Sequence, residues 1–163
     1  MVAEGDDAID FTAPLANGEL EEFTLSDRLE DGPVVLAFFP GAFTSVCTGE
    51  MRTFRDRIEN FTGEATLYGV STDSPFSLNE FRAQNDLPFD LISDLTGEVT
   101  ESYGVALDLA ALGVPGVDEG EVTISERAVF VVDTDGTVTY AWVGENPGVE
   151  PDYDAVEAAA TGA

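Results

Sequence analysis

Cys47 is the only thiol in the chain, and hydroxyls crowd it: Thr44, Ser45 and Thr48, with Pro40 upstream and Glu50 downstream. As the thiolate, a cysteine is a strong nucleophile that needs no cofactor. The remaining composition limits what can assist it. One cysteine excludes an internal disulfide and a multi-cysteine metal site. With no histidine there is no Cys-His dyad, no Ser-His-Asp triad and no imidazole metal ligand. The stretch Asp133-Thr134-Asp135-Gly136 starts like a calcium loop, but the later spaced ligands and the closing glutamate are missing. Neither a metal nor a cofactor is therefore expected. There is also no lysine, so a full positive charge for a thiolate must come from Arg28, Arg52, Arg55, Arg57, Arg82 or Arg127.

The elements that would position the thiol can be read from hydrophobic spacing. Residues 33–39 form an apolar run after Asp31-Gly32 and read as a buried central strand, which Pro40-Gly41 breaks. Beyond Cys47, Met51, Phe54, Ile58 and Phe61 recur at spacings of three and four, so a helix begins within 44–48. Cys47 precedes Met51 by four residues and Phe54 by seven, which places it on the same inward stripe in the first helical turn. Unpaired N–H groups and the positive end of the helix dipole favour an anion there. Arg52, Arg55 and Arg57 lie further along that helix, whereas Arg127 stands at the mouth of the apolar strand 128–133. A charge there is costly unless it meets an anion; both the Cys47 thiolate and Glu50 qualify.

Residues 65–71 read as a second buried strand, and 137–144 alternates after the turn at Thr134-Asp135-Gly136, predicting a hairpin with 128–133. Asn17-Gly18 predicts an N-terminal hairpin. Helices are expected from Ser74-Pro75 onward, with Phe76, Leu78 and Phe81 as apolar members, over a short segment in 96–105, and over 151–160. Strands alternating with helices indicate an α/β fold, here as a single domain over 1–163.

The chain carries 33 acidic residues against 6 basic ones, a formal net charge of −27. Its 44% hydrophobic content argues against disorder. Acids spread in ones and twos suit a halophilic protein, kept soluble where salt screens like-charge repulsion. Such a surface repels nucleic acid and anionic membranes, so neither is expected as a partner. No signal peptide or apolar run long enough for a membrane span is visible, and a cytoplasmic protein is the simplest expectation.

Pro40-Gly41-Ala42-Phe43-Thr44-Ser45-Val46-Cys47 matches P-x-x-x-T-x-x-C, and T-G-E follows it. The segments 68–81, 87–94 and 125–133 agree in order. In these motifs the sequence resembles the peroxiredoxins across about residues 5 to 145. The resemblance implies a thioredoxin-like fold, a central mixed β-sheet flanked by helices with an N-terminal β-hairpin extension, and thiol-dependent reduction of hydrogen peroxide or organic hydroperoxides. It makes Cys47 the peroxidatic residue. Thr44 would aim its hydroxyl at sulfur and peroxide, Arg127 would supply charge, and Pro40 would shape the loop and keep water out. Glu50 would hold an arginine in place. Many members have a second, resolving cysteine; this chain does not, which implies an external thiol or redoxin as reductant. A homodimer is a further family expectation.

Plainer readings stand beside these. Cys47 could be core filler, Thr44 or Ser45 only a helix cap, Pro40 only a strand terminator, and Arg127 only an ion-pair partner of Glu50 or Glu126. Phe38, Phe39, Phe43, Phe54 and Phe130 read as core, with an apolar substrate lip as the lesser reading, best suited to Phe43, and Trp142 reads as packing or interface. Two other functions compete with the enzyme: a peroxide sensor using the same thiol without turnover, and an acidic structural or cation-binding module.

Overall fold

A computed structural model describes residues 1–61 and 63–162. The central strand is β3 (Val34–Phe38), buried throughout. Alternation of its side chains divides the core in two. Val34, Leu36 and Phe38 face one apolar cluster. Val35, Ala37 and the following Phe39 face another, which also holds Cys47. The N-terminal hairpin is β1 (Thr12–Ala16) and β2 (Leu20–Thr24). Next to β3 lie β4 (Thr66–Ser71) and β5 (Leu91–Ser93) on one side, β8 (Ala128–Val132) and β9 (Val138–Val143) on the other.

The seven strands run in the order β2-β1-β5-β4-β3-β8-β9. β3, β4 and β5 are parallel neighbours, and the remaining pairs are antiparallel, so the sheet is mixed. The expected hairpin "extension" is thus part of the sheet, joined through β1 to β5. A separate ribbon pairs β6 (Ala106–Asp108) with β7 (Thr123–Ser125). This ribbon and β5 do not stand out in the sequence, because runs of three residues are too short to show a period.

The helices α2 (Ser45–Asp56), α3 (Pro75–Gln84) and α5 (Tyr153–Thr161) cover the Cys47 face of the sheet. The short α1 (Leu25–Arg28) follows β2, and α4 (Glu98–Ser102) contributes Val99 to the opposite cluster. α3 starts as its sequence predicts: Pro75 occupies its first turn, and the Ser74 hydroxyl accepts the Ser77 N–H at 3.2 Å. Phe76, expected among its apolar members, is instead 72% exposed.

Close approach of α2 to the sheet depends on Gly69. A Cβ there would lie 2.7 Å from Leu91 Cδ2, 3.1 Å from Phe39 Cε1 and 3.2 Å from Met51 Sδ. The absent side chain lets Met51, one turn beyond Cys47, rest directly on β4. The Asp133 motif is a turn: its Oδ1 accepts the N–H groups of Asp135 and Thr137, both at 2.9 Å. Among the described residues no group of three acidic, histidine or cysteine side chains is arranged to hold a metal ion.

Candidate active site

β3 ends at Phe38, Phe39 adds one more parallel-type bond to Val70 at 2.9 Å, and the chain then turns through Pro40 and Gly41. The return is tight enough that Phe43 takes φ 68°, a left-handed conformation uncommon for a bulky residue. Its ring, 52% exposed, packs edge-on against Phe81 with centroids 5.3 Å apart. The Ala42 N–H donates to Asp73 Oδ2 at 2.8 Å, and the Ser71 hydroxyl donates to the same oxygen at 2.7 Å. Asp73 therefore ties the loop before α2 to the end of β4. Sequence reasoning did not single it out; its place just after a buried strand and before the Ser74-Pro75 helix start was the available signal.

Thr44 occupies the N-cap position of α2 with extended backbone, but its side chain does not cap. Its hydroxyl donates to Gly41 O at 2.7 Å, which braces the loop instead. The capping reading is thereby corrected: the Thr44 side chain accepts no N–H from the first turn, and Ser45 is the first helical residue rather than the cap. The N–H groups at the start of α2 remain available to an anion, with Cys47 among them. Pro40 is partly buried at the strand end.

Cys47 is 1% exposed and faces inward, as its helical register requires. Arg127, also buried, reaches it from the start of β8: Nη2 donates to Cys47 Sγ at 3.2 Å. The other side of the guanidinium meets Glu50, with Nη1 to Oε1 at 2.7 Å. The Pro147 carbonyl accepts twice, from Nε at 3.1 Å and from Nη2 at 2.8 Å. One buried cation is thus held by a carboxyl, a carbonyl and a thiol. Both partners left open for Arg127 in the sequence are engaged together, and the Pro147 carbonyl had no signal in the sequence. Arg55, by contrast, is spent on Asp56 and the Asn85 carbonyl.

The electrostatics follow from burial. Glu50 is fully enclosed, and desolvation pushes its carboxyl up to about 7, against the pull of Arg127 and helped by the charge of Glu150. Its Oε2 has no hydrogen-bond partner among the described residues. Burial alone would lower the pKa of Arg127, but Glu50 and Cys47 reverse this and hold it raised. The guanidinium stays charged beside the sulfur.

The AhpC/TSA family profile matches residues 4–141. The chain belongs to this family, the peroxiredoxins. The crystal structure of peroxidoxin BcpB from Mycobacterium tuberculosis superposes with a TM-score of 0.82 at 33% identity, covering 99% of this chain and 96% of that one. The chloroplastic 2-cysteine peroxiredoxin of Chattonella marina var. antiqua is 33% identical over 148 residues, 85% of this chain and 69% of its own. The reduced 2-Cys peroxiredoxin of Plasmodium vivax has a TM-score of 0.81, covering 96% of this chain and 79% of its own; at 23% identity it speaks for the fold alone. This peroxiredoxin is a thiol-dependent peroxidase with a thioredoxin-like fold and a single cysteine.

Proposed function

We propose that this peroxiredoxin, acting as one domain, reduces hydroperoxides at Cys47 by a one-cysteine cycle. The observation that carries the reading is the 3.2 Å contact between Arg127 and a buried sulfur at an uncapped helix start. The thiolate attacks the terminal peroxide oxygen. An S–O bond forms, the O–O bond breaks, and its electron pair leaves on the alkoxide or hydroxide, which takes up a proton. Sulfur is oxidised by two electrons to the sulfenic acid and the peroxide is reduced to alcohol or water. Arg127 offsets negative charge on sulfur and on the leaving oxygen. The Thr44 hydroxyl turns from Gly41 O toward the peroxide, Pro40 shields the loop, and Glu50 fixes the guanidinium. An external thiol or redoxin condenses with the sulfenic acid, releasing water, and a second thiol frees Cys47.

The finer assignments rest on separate observations. Phe43 and Phe76 are both exposed on segments tied by the Ala42 to Asp73 bond, and the exposure of two large apolar side chains supports the homodimer that the family leads one to expect. A net charge of −27 supports salt adaptation. No helix among the described residues is long and apolar enough to cross a membrane, which accords with work in the cytoplasm.

The test is peroxide consumption with an added thiol. Cys47→Ser should abolish turnover while leaving the fold intact, because a hydroxyl lacks comparable nucleophilicity at neutral pH. In the wild-type protein, one equivalent of peroxide should add one dimedone-trappable oxygen to Cys47, seen by intact-mass spectrometry. Turnover surviving in Cys47→Ser, or a mainly disulfide-linked dimer after one equivalent, would sink the one-cysteine reading.

A further inference from the structure

Among the described residues the Pro147 carbonyl is the backbone acceptor on Arg127, and it belongs to an exposed turn rather than to the core. In Asn146-Pro147-Gly148-Val149 the Val149 N–H donates to Asn146 O at 3.1 Å, closing a four-residue turn with proline at its second position. The Asn146 side chain adds a second bond: the Gly148 N–H donates to Asn146 Oδ1 at 2.9 Å. That N–H and the Pro147 carbonyl belong to the same trans peptide, lie in its plane and point in opposite directions. Holding the N–H toward Asn146 therefore holds the carbonyl toward Arg127. The two common turns with proline at this position differ by a flip of this very peptide, and the flipped form needs positive φ at the third residue. Gly148 could adopt it at little cost but does not stand among the glycines at positive φ.

We propose that Asn146 is a positioning residue for peroxide reduction: it locks the Pro147–Gly148 peptide in the orientation that aims the Pro147 carbonyl at Arg127, and so sets Nη2 against Cys47. A neutral carbonyl anchors the guanidinium without cancelling its charge, which leaves that charge for the sulfur. A small cavity of about 110 Å³, lined in part by Arg127, Gly144, Asn146 and Pro147, gives the guanidinium room to swing if the carbonyl turns away. The inference rests on the reading of Arg127 and Cys47 given above.

The experiment measures the second-order rate of Cys47 oxidation by hydrogen peroxide, the rate of Cys47 alkylation by iodoacetamide across pH, and the melting temperature. Asn146→Ala should slow oxidation about tenfold, the scale of one lost hydrogen bond, with the melting temperature nearly unchanged because the turn is exposed. Its alkylation profile should move to higher pH. Asn146→Asp keeps the acceptor oxygen and should stay within about threefold of wild type. Adding Gly148→Ala to Asn146→Ala disfavours the flipped turn and should recover much of the lost rate. Asn146→Ala within about twofold of wild type, or equal losses in Asn146→Ala and Asn146→Asp, would overturn the proposal. Arg127→Met separates the two levels. If it slows oxidation and Asn146→Ala does not, the positioning role alone fails; if Arg127→Met is itself harmless, the electrostatic reading of the site fails and the inference with it.

Discussion

At the scale of single residues, Glu50 and Cys47 draw on one guanidinium, and Glu50 reports the cost of enclosing that cluster. Its folded pKa is raised to about 7 by burial, from an ordinary 4.5. A carboxyl raised on folding binds its proton more tightly in the folded state, so its contribution to stability is full below about pH 4.5 and is lost as pH rises through about 7. Glu50→Gln keeps an acceptor for Arg127 but cannot ionise. The wild type should therefore lose about 3 kcal/mol relative to Glu50→Gln between pH 4 and pH 8. Urea midpoints of the two proteins across that range measure it, and parallel pH profiles would refute it. Thr44→Val addresses the other polar group. Its hydroxyl braces Gly41 O at rest, and removing a donor that serves the transition state costs about 10² to 10³ in rate. A loss under about threefold would reduce Thr44 to a loop brace.

The element that organises the site is α2, and its two ends do different work. The N-terminal end is left uncapped and presents Cys47. The C-terminal end is clamped to α5 by Arg57, whose Nε donates to Glu157 Oε1 at 2.6 Å and Nη2 to Glu157 Oε2 at 2.9 Å, with Asp154 also on Nη2. A two-pronged pair of this kind is stronger than a simple surface contact, yet it is partly solvated. Arg57→Met should cost about 1 kcal/mol, or about 2 to 4 °C in melting temperature, and leave the oxidation rate of Cys47 unchanged. Differential scanning calorimetry and a peroxide assay on the same sample check both halves; a rate loss would mean the clamp reaches the thiol. The strand before α2 and the inward stripe of α2 were legible in the sequence because apolar side chains dominate both. The contacts of Thr44 with Gly41 O, Ala42 with Asp73 and Arg127 with Pro147 O were not. Each joins a backbone group to a side chain, and backbone groups are the same in every residue type.

Across the whole molecule the acidity is the dominant feature. There are 33 carboxylates and 6 arginines, and five of those arginines already sit in ion pairs among the described residues, so most carboxylates face like charges across the surface. At about 0.01 M salt the Debye length is about 30 Å, and at about 1 M it falls to about 3 Å. Self-repulsion therefore acts across the whole fold in dilute buffer and only between neighbours in concentrated salt. Screening also weakens clamps such as that of Arg57, so the two effects oppose each other. The repulsive set is much larger, and the melting temperature should rise from about 0.1 M to multimolar potassium chloride. Replacing three exposed acids, Glu22→Gln, Glu30→Gln and Glu59→Gln together, removes three charges without touching either apolar cluster. The triple variant should melt higher than wild type in dilute buffer and show a smaller gain from salt. Equal melting temperatures for wild type at the two salt concentrations, or an unchanged salt gain in the triple variant, would show that charge repulsion does not limit the stability of this fold.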